Sequence, residues 1–432
     1  MSEVAVIGAG VVGCAVAWEL ARKGAGSTVI DRNGDVGHGS TSASCGIVRC
    51  FYSTPAMTGM AHEGAHVWAD WRAHLGLDDV VQLARFERPG MLFIPHAVDE
   101  GIERIMRHMR AIGVDVELLT PENVAERFPF LDTSSHWPVR QPTDTDFFDG
   151  TGRSIAGAIF EPGAGYVVSP MLATQNLRKV GERDDVKFLL GRGVVAIRSG
   201  ARGQRFCLEL DDGTTLGADV VVNAGGPHSG VINRLAGVTL PIETRPLRRE
   251  VCAVQNPTHS DEGAPLFPVV GDLDSGIYFR PESGGRDLIV GSLDPSCDVL
   301  EWVDPDECDV SCSADGFERQ VLRLMKRFPK VLFGKRRGLA GMYDVTLLDW
   351  NPVLDRTDLP GYYVAIGTSG SSFKTAPVIG AVMAQLIDSC EAGLDHDRDP
   401  LHITLPRTGF DLDVSFFSRL RSAHVTTGTV LG

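Results

Sequence analysis

The sequence predicts an α/β protein: a Rossmann-like dinucleotide-binding domain carrying a second, α+β domain built from insertions into it. Three observations point there. The apolar run Val4-Ala5-Val6-Ile7 leads straight into Gly8-Ala9-Gly10-Val11-Val12-Gly13 and a helix pattern reaching about Lys23. Two more apolar strand patterns, at 219–223 and 362–366, end in glycine turns far downstream, as buried parallel strands do. Between these anchors lie long stretches of helix and alternating strand that the dinucleotide fold itself does not use.

Each piece of the first unit has a physical task. Gly8 allows the tight turn, Gly10 lets a pyrophosphate approach the backbone, and Gly13 lets helix and strand pack closely. The helix start at Val11 and Val12 offers free N–H groups and a partial positive charge to phosphates. A second apolar run, Thr28-Val29-Ile30, ends in Asp31, an acceptor for ribose hydroxyls. The strand–turn–helix–strand setting makes the glycine motif specific for an adenosine dinucleotide, without separating NAD from FAD.

The chain then enters a small polar loop, 37–46, where a nicotinamide-type domain would alternate strands and helices. Helix patterns follow at 57–74 and 98–112. Another helix starts at Thr120-Pro121, with Thr120 as N-cap and Pro121 at the first helical position. A helix at 170–182 precedes strands at 186–190 and 193–198. Strand patterns at 276–280 and 288–291, a helix at 314–328 and a final strand–loop–helix from 362 complete the order. That last helix opens at Lys374 and carries Val378, Ile379, Val382, Met383, Leu386 and Ile387 on one face. The dinucleotide domain is expected in three segments, 1–90, 150–240 and 335–395. The second domain takes 91–149 and 241–334, and 396–432 reads as an irregular tail.

Composition narrows the function classes. The net charge of −15 argues against nucleic-acid partners and against docking on anionic membranes, both of which need cationic patches. No apolar stretch is long enough to span a bilayer, and no secretory signal is read at the start, so a cytoplasmic protein is expected. Nine cysteines, an odd number with no Cys-x-x-Cys, read as reduced thiols, and no metal site is expected. Glycine is in excess, 49 of 432 residues, against an ordinary ~7%, so the individual glycines need reasons.

At this point the motifs VAVIGAGVVG with Asp31, GSTSASCGIVRCFY, FEPGAGYV, VVVNAGGPHS, GIYFRPESGGRDLIVGS, LAGMYDVTLLDWNPVLD and GYYVAIGTSGSSFKTAPVIG resemble, in family order, the D-amino-acid oxidase-like flavoproteins. These are the glycine and sarcosine oxidases and the dimethylglycine and sarcosine dehydrogenases. The resemblance implies FAD and not NAD, and a mixed, largely antiparallel sheet beside the flavin in the substrate domain. It also implies oxidation of a C–N bond next to a carboxylate. FAD contacts are then expected from Gly8, Gly10, Val11, Val12, Gly13, Asp31 and Arg32 in the first unit. The early loop adds Ser40, Thr41, Ser44, Cys45 and Gly46, the middle of the chain Val194, Ala224 and Gly225, and the C-terminal part Gly341, Gly370, Ser371, Ser372, Phe373 and Lys374. In similar sarcosine oxidases the residues matching Arg49 and Lys374 bind the substrate carboxylate, and those matching Tyr278 and Tyr343 lie beside the flavin.

Three departures from the family refine this. Some relatives attach flavin through a Cys where this chain has Gly341, and others through a His near Ala43, so FAD is expected to be non-covalent. Sarcosine oxidases carry an oxygen-activating Lys where this chain has Ile289, which leaves oxygen or another electron acceptor open. The expected substrate is a small carboxylate-bearing amine. Two alternatives are C–OH oxidation of the glycerol-phosphate or 2-hydroxyacid type and a non-catalytic flavoprotein assembly factor.

Overall fold

A computed structural model describes residues 3–77, 81–201, 203–259 and 267–426; the last six residues of the expected tail lie outside them. Two large sheets dominate. The first has six strands in the order Val353–Arg356, Tyr362–Ile366, Val220–Asn223, Glu3–Ile7, Gly26–Asp31, Lys187–Leu190. All pair in parallel except the first two, which are antiparallel. The strand at the centre is the apolar run before the glycine motif, and Val4, Ala5 and Val6 are almost completely buried. Near-continuous apolar residues suit it because both faces are covered.

Helix Val11–Arg22 leaves the first strand and is buried from Val11 to Leu20. The sequence marks one apolar side; the whole surface is covered because helices Pro170–Arg183 and Ala376–Glu391 both pack on it. The second sheet has nine strands, led by Thr244–Gln255, Asp287–Ser292, Ile277–Glu282, Val269–Asp272 and Met91–Ile94, with Gly338–Thr346 added beside Thr244–Gln255. Among its ladders only Val269–Asp272 with Met91–Ile94 is parallel. Its outer face buries Leu288, Val290, Phe279 and Ile277 against Phe317, Val321 and Leu324 of helix Ala314–Arg327. Its inner face is left to line a cleft.

The structure departs from the sequence expectations in several places. The helix expected over 57–74 is two, Pro55–Ala69 and Trp71–Leu75, separated at Asp70, whose backbone is non-helical; no Gly or Pro marks that break. Lys374 lies two residues before its helix, which starts at Ala376 with Pro377 in the first turn. Strands Ala158–Glu161 and Gly338–Thr346, which fall within segments expected in the dinucleotide domain, pair in the nine-stranded sheet. The tail is not irregular: His402–Thr404 and Asp411–Asp413 form a hairpin. Beyond it the buried Arg419 guanidinium reaches Asp355, Asp358 and Asp397. Isolated buried ion pairs leave no periodic trace in a sequence. By contrast, Thr120 caps its helix as expected, in a reciprocal pair with Asn123.

Candidate active site

The cleft lies between the carboxyl ends of the parallel strands and the inner face of the nine-stranded sheet, where open α/β sheets bind ligands. At one end the glycine turn is built as its sequence demands. Gly8 has φ +113°, and a Cβ there would stand 2.3 Å from Ala224 O; a Cβ on Gly13 would stand 1.9 Å from Gly8 O. Gly13 therefore serves the helix–strand contact and does not line the cleft. At Gly10 a Cβ would meet only Thr41 Oγ1, at 3.4 Å, so the space beside it is open to a ligand. Asp31 accepts from Ala9 N at 2.7 Å and Asn33 N at 2.8 Å, which fixes its carboxylate at the cleft edge.

Thr41 Oγ1 accepts from Val11 N at 3.2 Å and ties the early loop to the helix start. Ser40 Oγ is buried without a hydrogen-bond partner, although buried polar groups ordinarily find one. Arg32 meets Asp306 at 2.5 Å and His228 at 2.7 Å, bridging the mouth at this end. Ser44, Cys45, Gly46, Val194, Ala224 and Gly225 also line the cleft. An unblocked glycine, an orphan hydroxyl and a helix N-terminus together fit a dinucleotide pyrophosphate.

At the other end, Gly370, Ser372, Phe373 and Lys374 face Tyr343, Tyr278 and Gly341. Gly370 has φ +72°, and a Cβ there would stand 2.4 Å from the Tyr343 ring. Ser371 does not reach the cleft: its hydroxyl donates to Thr368 O at 3.2 Å and its carbonyl accepts from Lys374 Nζ at 2.8 Å. A Cβ on Gly341 would stand 2.4 Å from Ala43 Cβ. The Tyr278 hydroxyl is 3.2 Å from Cys45 Sγ. Burial holds the Tyr278 phenol well above its ordinary range and pushes Tyr343 up to about 12. Both stay protonated as donors at neutral pH.

Arg49 and Lys374 come from opposite ends of the chain and converge on one ring. The Arg49 guanidinium sits 4.3 Å over Tyr52 and donates to Phe51 O. Lys374 Nζ donates to the Tyr52 hydroxyl at 2.8 Å. Burial is the largest influence on Lys374 and, with Arg49 beside it, holds its pKa below the usual lysine value. Burial would raise the Tyr52 phenol, but the two cations outweigh it and leave the phenol lowered. Glu161, which accepts from Cys50 N at 2.9 Å, is pushed up by burial. Tyr52 and Glu161 are not singled out by the sequence; the signal for Tyr52 is its place three residues after Arg49.

A glycine-turn nucleotide end and a two-tyrosine, two-cation reactive end define a dinucleotide-dependent redox enzyme. The family profile described as "DAO: FAD dependent oxidoreductase" matches residues 3–386, and the chain belongs to that family. It is 28% identical to the bovine (Bos taurus) FAD-dependent oxidoreductase domain-containing protein 1, over 89% of this chain and 81% of that one. It is 25% identical to the sarcosine oxidase subunit beta of an Arthrobacter species, over 90% and 88%. The crystal structure of L-proline dehydrogenase from P. horikoshii shares the fold, with a TM-score of 0.74 at 23% identity over 97% and 96% of the chains. FAD is thus the cofactor class, and the mixed, largely antiparallel second sheet agrees with the fold expected from sequence.

Proposed function

We propose that the protein oxidises the C–N bond of an amino acid or N-methylated amino acid, binding the substrate carboxylate between Arg49 and Lys374. The observation that carries this is the convergence of those two buried cations on Tyr52, in a cleft that both cations line together with Tyr278 and Tyr343. A fixed guanidinium binds both oxygens of a carboxylate and the ammonium adds a point charge. The same charges favour the neutral amine, the form whose lone pair assists loss of hydride. When bound, FAD supplies the redox chemistry, taking up a hydride from the substrate carbon and leaving an imine that water hydrolyses.

The chain's own residues hold and orient. Gly8, Gly10, Val11, Val12, Ser40 and Thr41 would cradle the pyrophosphate, with Asp31 and Arg32 at the adenosine side. Gly341, Gly370, Ser372 and Phe373 would bring backbone and ring edges to the flavin. The sarcosine oxidase relative supports an amine next to a carboxylate as the substrate class. Ile289, paired with Arg280 and Ala253 in the ladders, puts no charge at that position, so oxygen or another acceptor completes the cycle. The two large sheets are the cores of the two proposed domains. The described cysteines are all free, which supports a cytoplasmic setting, and no described helix is long and apolar enough to cross a membrane.

Anaerobic mixing of the holoprotein with a panel of N-methyl and free amino acids tests the proposal. Bleaching of the flavin absorbance by at least one amine is expected. Bleaching by hydroxy acids alone would replace C–N with C–OH oxidation.

A further inference from the structure

The charge distribution along the cleft is lopsided. Among the described lining residues the carboxylates are Asp31 and Asp306, both at the nucleotide end. The reactive end is lined by three cations and no acid: Arg49, Lys374 and Arg249. The first two account for one carboxylate. Arg249 comes from a different strand and has a different setting.

Arg249 pairs with Gly341 across the ladder between Thr244–Gln255 and Gly338–Thr346, two residues along from the Leu247–Tyr343 pair. It therefore projects from the same sheet face as Tyr343, with its guanidinium 5.7 Å from that ring. It is anchored from behind by an ion pair to Asp294 and by donation to Ser292 O at 2.8 Å. Asp294 is 7% exposed and is not a lining residue. A guanidinium carries more N–H donors than these two contacts and a hydrogen bond to the Tyr343 side chain use, and its side chain keeps 14% exposure on the cleft wall. A largely buried Arg on the cleft wall, pinned by Asp294 and Ser292 and with donors to spare, is a preorganised receptor for a planar anion.

We propose that Arg249 is a specificity-determining residue that binds a second carboxylate, so that the preferred substrate is an amine bearing two carboxylates. This rests on the reading that Arg49 and Lys374 hold the first. The dianion matches the three cations that line this end, while a monocarboxylate leaves Arg249 with Asp294 as its anionic partner and its remaining donors unmatched.

The experiment has a binding arm and a turnover arm on the FAD-loaded protein. Malonate, succinate and acetate are titrated as non-reacting probes, followed by perturbation of the flavin absorption spectrum. Dicarboxylate affinity is expected to exceed that of acetate at least tenfold in the wild type, and Arg249→Met is expected to reduce that preference about ten- to a hundredfold. Arg249→Lys, which keeps the charge but loses the fork, is expected to fall between. In turnover, kcat/KM for N-methylaspartate or iminodiacetate relative to sarcosine drops by a similar factor, mostly through KM. Arg249→Met combined with Asp294→Asn serves if the single variant fails to retain FAD, since it leaves no buried charge alone. A wild type that prefers monocarboxylates, or a preference unchanged in the FAD-loaded variants, overturns the inference while leaving C–N oxidation intact. Failure of every amine to reduce the flavin would instead remove the reading beneath it.

Discussion

At the residue scale, function and stability are set by buried charge. Arg49→Ala and Lys374→Ala are each expected to weaken substrate binding by about 10- to 150-fold, the worth of a charge-assisted hydrogen bond, while FAD stays bound; titration of bound-flavin absorbance with substrate reads both. Asp344 shows the opposite use of burial. Its carboxyl accepts from Gly367 N at 2.7 Å and Ser229 Oγ at 3.1 Å, yet burial raises its pKa from 3.8 to about 7. The folded state then binds the proton more tightly than the unfolded chain. That contribution is fully present below about pH 4 and is lost as pH rises through about 7, at most ~4 kcal/mol. Urea denaturation of the apoprotein at pH 5 and pH 8 should show this loss in the wild type and a smaller one in Asp344→Asn.

At the element scale, the glycine turn separates packing from binding. Gly13→Ala forces a Cβ into Gly8 O and is expected to lower the thermal midpoint of the apoprotein by several degrees or prevent folding. Gly10→Ala meets only Thr41 Oγ1 and is expected to leave the apoprotein midpoint nearly unchanged while weakening FAD at least tenfold. Equal effects on both quantities would contradict this division. The same element shows what a sequence reveals. The glycine motif, the strand at 362–366 and the capping at Thr120 are local patterns, and local patterns can be read along the chain. Arg249, Tyr52 and Glu161 gain their roles only when ladder register and long-range pairing bring strands together, and no spacing encodes that. The break at Asp70 and the sheet to which Ala158–Glu161 belongs are likewise decided by packing, not by turn residues. The Arg49 and Lys374 readings came from likeness to a family; the structure adds that both address Tyr52.

At the scale of the whole molecule, the tail is part of the core architecture. Arg419 spans Asp355, Asp358 and Asp397, and Arg421 pairs with Asp349. Arg419→Ala leaves Asp355 buried without its cation and is expected to cost about 3–5 kcal/mol, measured by urea denaturation. Gly341 and Ala43 offer no attaching side chain at the two positions where relatives tether flavin, so acid precipitation is expected to leave a colourless protein pellet and a yellow supernatant. The order of strands in the parallel sheet has a further consequence, for how the molecule is made. Glu3–Ile7 is made before its neighbours in the sheet: Val220–Asn223 arrives more than two hundred residues later, and the next strand out, Tyr362–Ile366, later still. A growing chain would hold its central strand with an open edge until Val220–Asn223 is made, a state that invites mispairing. Ribosome-bound chains stalled before residue 220 should therefore be protease-sensitive around the first strand, and those stalled before residue 362 blind to added FAD. Cofactor capture would be the event that closes folding.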